Sequence, residues 1–212
     1  MPPKRTLMIL FSVLWCTAAA WAGLPLRPLY RVNMGIVTPL TPETLKTSHL
    51  SGFNVGAAVG TRLGERHQLS ADFSYHNFSL NVQGYLSTLA LSAKDEVESS
   101  ATGGTAQVTT LFLQWKSQFP APGEKRFIPY LFAETGLFYF SQQELQYWGP
   151  IGKDRSEPAA HSTAFGMGSG LGMEIAIEER SFLFIDLGVK IGFSEGERTA
   201  IFPVRVGVSF QR

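Results

Sequence analysis

Cysteine is almost absent from this chain of 212 residues, Cys16 being the only one. A disulfide framework is therefore excluded, and so is a thiolate metal site. A basic block is missing too. Lys and Arg total 18 against 17 Asp and Glu and are scattered along the chain, so the electrostatic footprint of a nucleic-acid partner is not there. After residue 22 no segment approaches the roughly 18 uninterrupted apolar residues that a membrane helix requires. The four histidines, His49, His67, His76 and His161, show no ligand spacing. Asp95, Glu96 and Glu98 lack the glycine and alternation of a calcium loop. No metal and no cofactor is expected, and no internal repeat is found.

The N terminus is more informative. Lys4 and Arg5 precede an apolar stretch from Leu7 to Trp15, followed by small residues and the A-x-A-like site Ala20-Trp21-Ala22. This is the pattern of a secretory signal peptide, residues 1–22, cleaved before Gly23. Trp15 stands where a lipoprotein site needs a small residue, which argues against lipidation of Cys16. Loss of Lys4 and Arg5 lowers the basic count from 18 to 16 against 17 acids, leaving a mature chain of formal charge −1. Residues 23–212 are then expected to form one domain whose stability comes from its sheet.

That sheet is visible as a period of two. From Thr163 to Ile177 one face reads Phe165, Met167, Leu171, Met173, Ile175, Ile177, and the other Ala164, Gly166, Gly168, Gly170, Gly172, Glu174. Successive strand residues point to opposite sides, so this is a strand with an apolar face and a face of glycine and charge. Eight such segments are predicted, near 29–38, 52–63, 67–78, 106–119, 127–141, 162–177, 181–194 and 200–210. Each can cross a bilayer when tilted, for which about 9 to 11 residues suffice. The connections 64–66, 120–126 and 178–180 are short, whereas 39–51, 79–105 and 142–161 are long. Short and long alternate, as periplasmic turns and extracellular loops do in a transmembrane β-barrel with both ends in the periplasm. The last loop, Glu195 to Thr199, is short for an outer one.

Face by face, the glycine-bearing side collects isolated charges: Arg31, Arg62, Asp72, Lys116, Glu134, Glu174, Asp186, Lys190 and Arg205. Five are basic and four acidic. Such near-balance suits a lumen too narrow for bulk water, where an unpaired charge is costly. The alternative is a set of scattered charges on a solvated sheet face. On the apolar side Tyr30, Trp115, Phe119 and Phe210 fall near the periplasmic boundary, and Phe53, Tyr75, Tyr139, Phe165, Phe193 and Phe202 near the outer one. These resemble two interfacial girdles. The segment 127–141 is ambiguous, because sending Glu134 and Gly136 inward also sends Phe132, Phe138 and Phe140 into the lumen.

Three features together, the run Gly166 to Gly172, Pro129-Tyr130 opening a strand and the alternation Val204 to Phe210, resemble the OmpA/OmpX-like family of small outer-membrane β-barrels over about residues 27 to 210. The resemblance implies an all-β, eight-stranded antiparallel up-and-down barrel in the bacterial outer membrane. It further implies a monomer set in outer-membrane lipid and lipopolysaccharide and inserted by the barrel-assembly machinery. A packed lumen and a structural or adhesion-like role through the long loops are the expectation. A peptidoglycan-binding domain after the barrel is not expected, so that activity of the family is not carried over. Two other classes compete. A lipid A-modifying enzyme would need a nucleophile and base, for which His76 with Ser79 and His161 with Ser162 are the obvious pairs, neither in the His-x-Ser-Asn arrangement of the deacylases. A secreted lipocalin-like carrier is also an eight-stranded barrel, with its charged face outward, and the alternation alone fits either polarity.

Overall fold

The computed structural model describes residues 27–88, 100–120, 126–148, 155–194 and 198–212. The expected leader at 1–22, the acids Asp95, Glu96 and Glu98, and most of the loop at 195–199 lie outside the described residues. In chain order the elements are β1 (Arg27–Thr41), α1 (Glu43–Ser48), β2 (Gly52–Leu63), β3 (His67–Phe78), α2 (Val82–Thr88) and β4 (Ser100–Gly103). They continue with β5 (Ala106–Gln118), β6 (Phe127–Gln142), β7 (Leu145–Trp148), β8 (Arg155–Glu157), β9 (Ala160–Glu178), β10 (Ser181–Phe193) and β11 (Arg198–Gln211).

Eight of these strands close on themselves in the order β1-β11-β10-β9-β6-β5-β3-β2, all antiparallel. Each has two neighbours. No strand edge is left to hydrogen-bond water, which is the condition for placing a sheet in hydrocarbon. The eight segments predicted from the period of two are these eight strands, each displaced by no more than a few residues at its ends. Between β2 and β3 the turn is tight because Gly64 takes φ +71°, a left-handed conformation that glycine enters without strain.

The alternation sorts the side chains by face. Outward from the barrel project Val32, Met34 and Ile36 of β1, Leu111 and Leu113 of β5, Leu171 of β9, and Ile185 and Leu187 of β10, all exposed. Inward project glycines, aromatics and charges, with Gln114, Thr110 and the aliphatics Val37, Val108 and Ile201 among them. An apolar exterior of this extent drives aggregation in water, whereas in a bilayer it is the solvent-matched surface. The polarity is thus the reverse of a soluble carrier's, and the lipocalin-like alternative falls. Tyr30, Trp115, Phe119 and Phe210 are exposed at the end of the barrel with the short turns, and Phe53, Tyr139, Phe165 and Phe193 at the other, with Tyr75 and Phe202 half-buried beside them.

The long connections are more than loops. They hold α1, α2 and a separate three-stranded sheet in the order β4-β7-β8, none of which the period of two announced. Tyr85, Leu86, Ala101, Leu145 and Tyr147 form a small buried core of their own, with Leu80 packed against it. Leu45 of α1 instead joins Val37, Phe78, Ala106, Val108, Phe112, Phe138 and Ile201, an apolar cluster filling the barrel beneath. A backbone bridge between His49 and Leu80 and a 2.7 Å hydrogen bond between His49 Nε2 and the Gly104 carbonyl tie the pieces together. The result is a cap over one mouth of the barrel.

Candidate functional site

The lumen is where the sequence-predicted residues meet. Arg31 Nη1 donates to Gln114 Oε1 at 2.7 Å, and Gln114 Nε2 donates to Glu134 Oε2 at 3.1 Å. Glu134 pairs with Lys190 at 3.2 Å, Lys190 with Asp72 at 3.6 Å, and Asp72 with Arg205 at 3.6 Å. Arg205 Nε donates to Asp186 Oδ1 at 2.7 Å, and Asp186 returns to Arg31 at 3.3 Å. The contacts therefore run in a closed ring around the barrel's interior. Below it, toward the short turns, Lys116 Nζ and Gln118 Nε2 both donate at 2.5 Å to the Glu174 carboxylate.

Eight of the nine predicted charges, all but Arg62, are buried. They are the cations Arg31, Lys116, Lys190 and Arg205 and the carboxylates Asp72, Glu134, Glu174 and Asp186, so within the closed lumen the signs match one for one. Arg62 sits half-buried at the short-turn mouth, donating to Gln211 Oε1, Gln118 Oε1 and the Glu65 carbonyl. Burying isolated charges would cost several kcal/mol each, and only a matched, hydrogen-bonded set offsets that.

Each buried cation also rests on a ring. Arg31 lies 4.1 Å from the Phe184 centroid, Lys116 4.3 Å from Tyr130, Lys190 5.0 Å from Phe112 and Arg205 5.5 Å from Phe132. Desolvated cation–π contacts of this kind stabilise by roughly 2 kcal/mol. Phe112, Phe184 and Tyr130 were legible as inward residues from parity alone, though their pairing with cations was not. The ambiguous segment 127–141 is settled the same way: its even residues Tyr130, Phe132, Glu134 and Phe138 are all buried.

The bulky rings fit because glycines face them. A Cβ added at Gly172 would come within 2.5 Å of Tyr130 Cζ, and one at Gly192 within 2.5 Å of Phe138 Cδ1. An eight-stranded barrel has an interior just wide enough for side chains, and this one is filled in tiers, charge ring below and apolar cluster above.

The pairs considered for catalysis are not assembled. His76 is fully buried in the lumen opposite Asn54, with neither ring nitrogen hydrogen-bonded among the described residues, while Ser79 is exposed beyond the strand end. His161 and Ser162 are consecutive on β9, so they point to opposite sides of the sheet. Among the described residues no three potential ligands cluster for a metal.

In the cap, Ser48 Oγ lies 2.9 Å from His49 Nδ1, and burial pushes the His49 imidazole below its ordinary value of 6.5. Ser156 Oγ donates to Glu144 Oε1 at 2.6 Å, holding that exposed carboxyl below the usual range. Tyr85 Oη donates to Glu157 Oε1 at 3.0 Å, linking α2 to β8.

No family model and no curated protein matches the chain. Solved structures do. Neisserial surface protein A overlays with a TM-score of 0.57 at 12% identity, covering 86% of this chain and 96% of that one. The outer membrane protein OprG from Pseudomonas aeruginosa overlays with a TM-score of 0.50 at 10% identity, covering 88% and 95%. At such identities the likeness is one of fold. With its edges closed, its charges inside and its apolar belt outside, the chain has the OmpA/OmpX-like fold of the small β-barrels of the bacterial outer membrane.

Proposed function

We propose that the mature chain, residues 23–212, is a monomeric integral outer-membrane protein whose lumen is sealed and whose capped end faces the exterior as an interaction surface. The observation that carries this reading is the cap itself. A barrel that served only as a membrane plug needs short connections, yet here α2 and a three-stranded sheet share a buried core above the mouth, and α1 packs Leu45 onto the apolar cluster below. Folded surface elements on a rigid scaffold are where recognition residues are commonly placed. The matched charges and glycine-backed rings argue against a conducting role. Outer-leaflet lipid and lipopolysaccharide would surround the belt, and the barrel-assembly machinery would insert it. The name of the neisserial relative, a surface protein, is in keeping with this assignment.

Epitope tags at Ser92 and Gly123, both outside the described residues, test the orientation on intact cells. Labelling at Ser92 and protection at Gly123 are expected. The reverse pattern, or recovery of the protein in the soluble periplasmic fraction, would remove the reading.

A further inference from the structure

The lumen changes character again at its capped mouth. Above the apolar cluster the inward positions become neutral and polar: Gln142 of β6, Ser162 of β9, Ser194 just past β10 and Thr199 of β11. Together with Phe140 and the overhanging cap they enclose a cleft of about 440 Å³, within the range of small-molecule sites.

We propose that this cleft binds a neutral, hydroxyl-rich small molecule of the size and chemistry of a mono- or disaccharide, an inference that deepens the interaction-surface reading and rests on it. Its floor is apolar, made by Phe140 and the buried Leu45, which suits the C–H face of a pyranose ring. Its rim offers groups that both donate and accept. The Gln142 amide does so through two atoms, the Ser162 and Thr199 hydroxyls through one each. Glu157 adds a carboxylate able to accept from two adjacent hydroxyls. Its Oε1 already receives the Tyr85 hydroxyl at 3.0 Å, which restrains this exposed side chain at the edge of the cleft.

The same lining disfavours other ligands. Among the described residues that border the cleft there is no lysine or arginine. A phosphate, sulfate or carboxylate would thus meet Glu157 with no lysine or arginine beside it. An acyl chain would strip water from the polar rim and return no hydrogen bonds. Among the described residues a divalent cation finds no cluster of three ligating side chains.

The test uses the mature chain refolded into phosphatidylcholine nanodiscs, which carry no sugar, at pH 8. Saturation-transfer NMR is recorded with glucose, galactose, N-acetylglucosamine, maltose and lactose, and with inorganic phosphate and octanoate for contrast. Transfer to the ring protons of at least one saccharide is expected, weakened tenfold or more by Glu157→Gln and by Gln142→Ala. Heat-modifiable gel mobility reports that each variant still holds a closed barrel. No transfer to any saccharide, transfer unchanged in both folded variants, or preferential binding of phosphate or octanoate would overturn the proposal. The epitope tags keep the two readings apart. Outward tags with no sugar bound defeat this inference alone, and inverted tags defeat the orientation whatever the cleft binds.

Discussion

Phe132 and Gly170 face each other across the β6–β9 pairing, and a Cβ on Gly170 would come within 2.5 Å of the Phe132 Cζ. The same ring atom stands 2.8 Å from where a Cβ of Gly188 would lie. One aromatic thus occupies the space of two missing side chains, and the small face of β9 and the large face of β6 are a single packing decision.

Gly170→Val should overpack the lumen and, because its Cβ would also come within 2.2 Å of the Leu187 carbonyl oxygen, destabilise the barrel by about 3 kcal/mol or more. Urea unfolding in lipid vesicles, followed by tryptophan fluorescence, measures this. Phe132→Leu in the same chain should recover part of the loss, because the two substitutions compete for one volume. Strict additivity of the pair would argue that the contact is not limiting.

Glu174→Ala leaves the buried Lys116 without its carboxylate, and Arg205→Ala leaves Asp72 and Asp186 short of a partner. Each should destabilise by about 3–5 kcal/mol. Replacing both members of the first pair with apolar residues, Lys116→Met with Glu174→Leu, should cost much less than Glu174→Ala, since no charge is then stranded. Equal losses for the single and double variants would count against charge matching as the reason for the network.

The filled lumen should not conduct. Planar-bilayer recordings of purified, refolded protein are expected to show no stable ion current, consistent with an eight-stranded interior only wide enough for side chains. Reproducible conductance steps would mean that the ring Arg31–Asp186–Arg205 lines water, and the sealed lumen would be abandoned.

The cap should loosen in acid. Burial lowers the His49 pKa below 6.5 in the folded cap, so the unfolded cap binds the extra proton more readily. The contribution is complete above about pH 6.5 and falls as pH drops below that value. Limited proteolysis at pH 7.5 and pH 5.5 should show faster cleavage around α1 at the lower pH, and His49→Gln should flatten the difference. An unchanged difference in that variant would assign the effect to another group.

How much of this was legible in the sequence follows from the range of the forces involved. The strands, their lengths and the inward set from Arg31 to Arg205 could be read because a period of two is a local property: parity alone decides which face a side chain joins. The aromatic girdles and the inward glycines came from the same rule. The cap was not legible. The residues of α1, α2 and the sheet β4-β7-β8 have short, weakly periodic sequences, and they hold together through contacts such as Tyr85 with Glu157, 72 positions apart.

The sequence by itself therefore determined a closed-barrel topology and the sign balance of its interior, since alternation and composition are written along the chain. Only the tertiary structure decided which charge answers which. Arg31 and Asp186 are separated by 155 positions, and what brings them to 3.3 Å is the closure of β1 onto β11. That closure sets the stagger of every strand around the ring. It also moved Arg62 to the mouth, left His76 facing Asn54 in the lumen, and gathered four neutral side chains, three from strands and Ser194 just past β10, around one cleft.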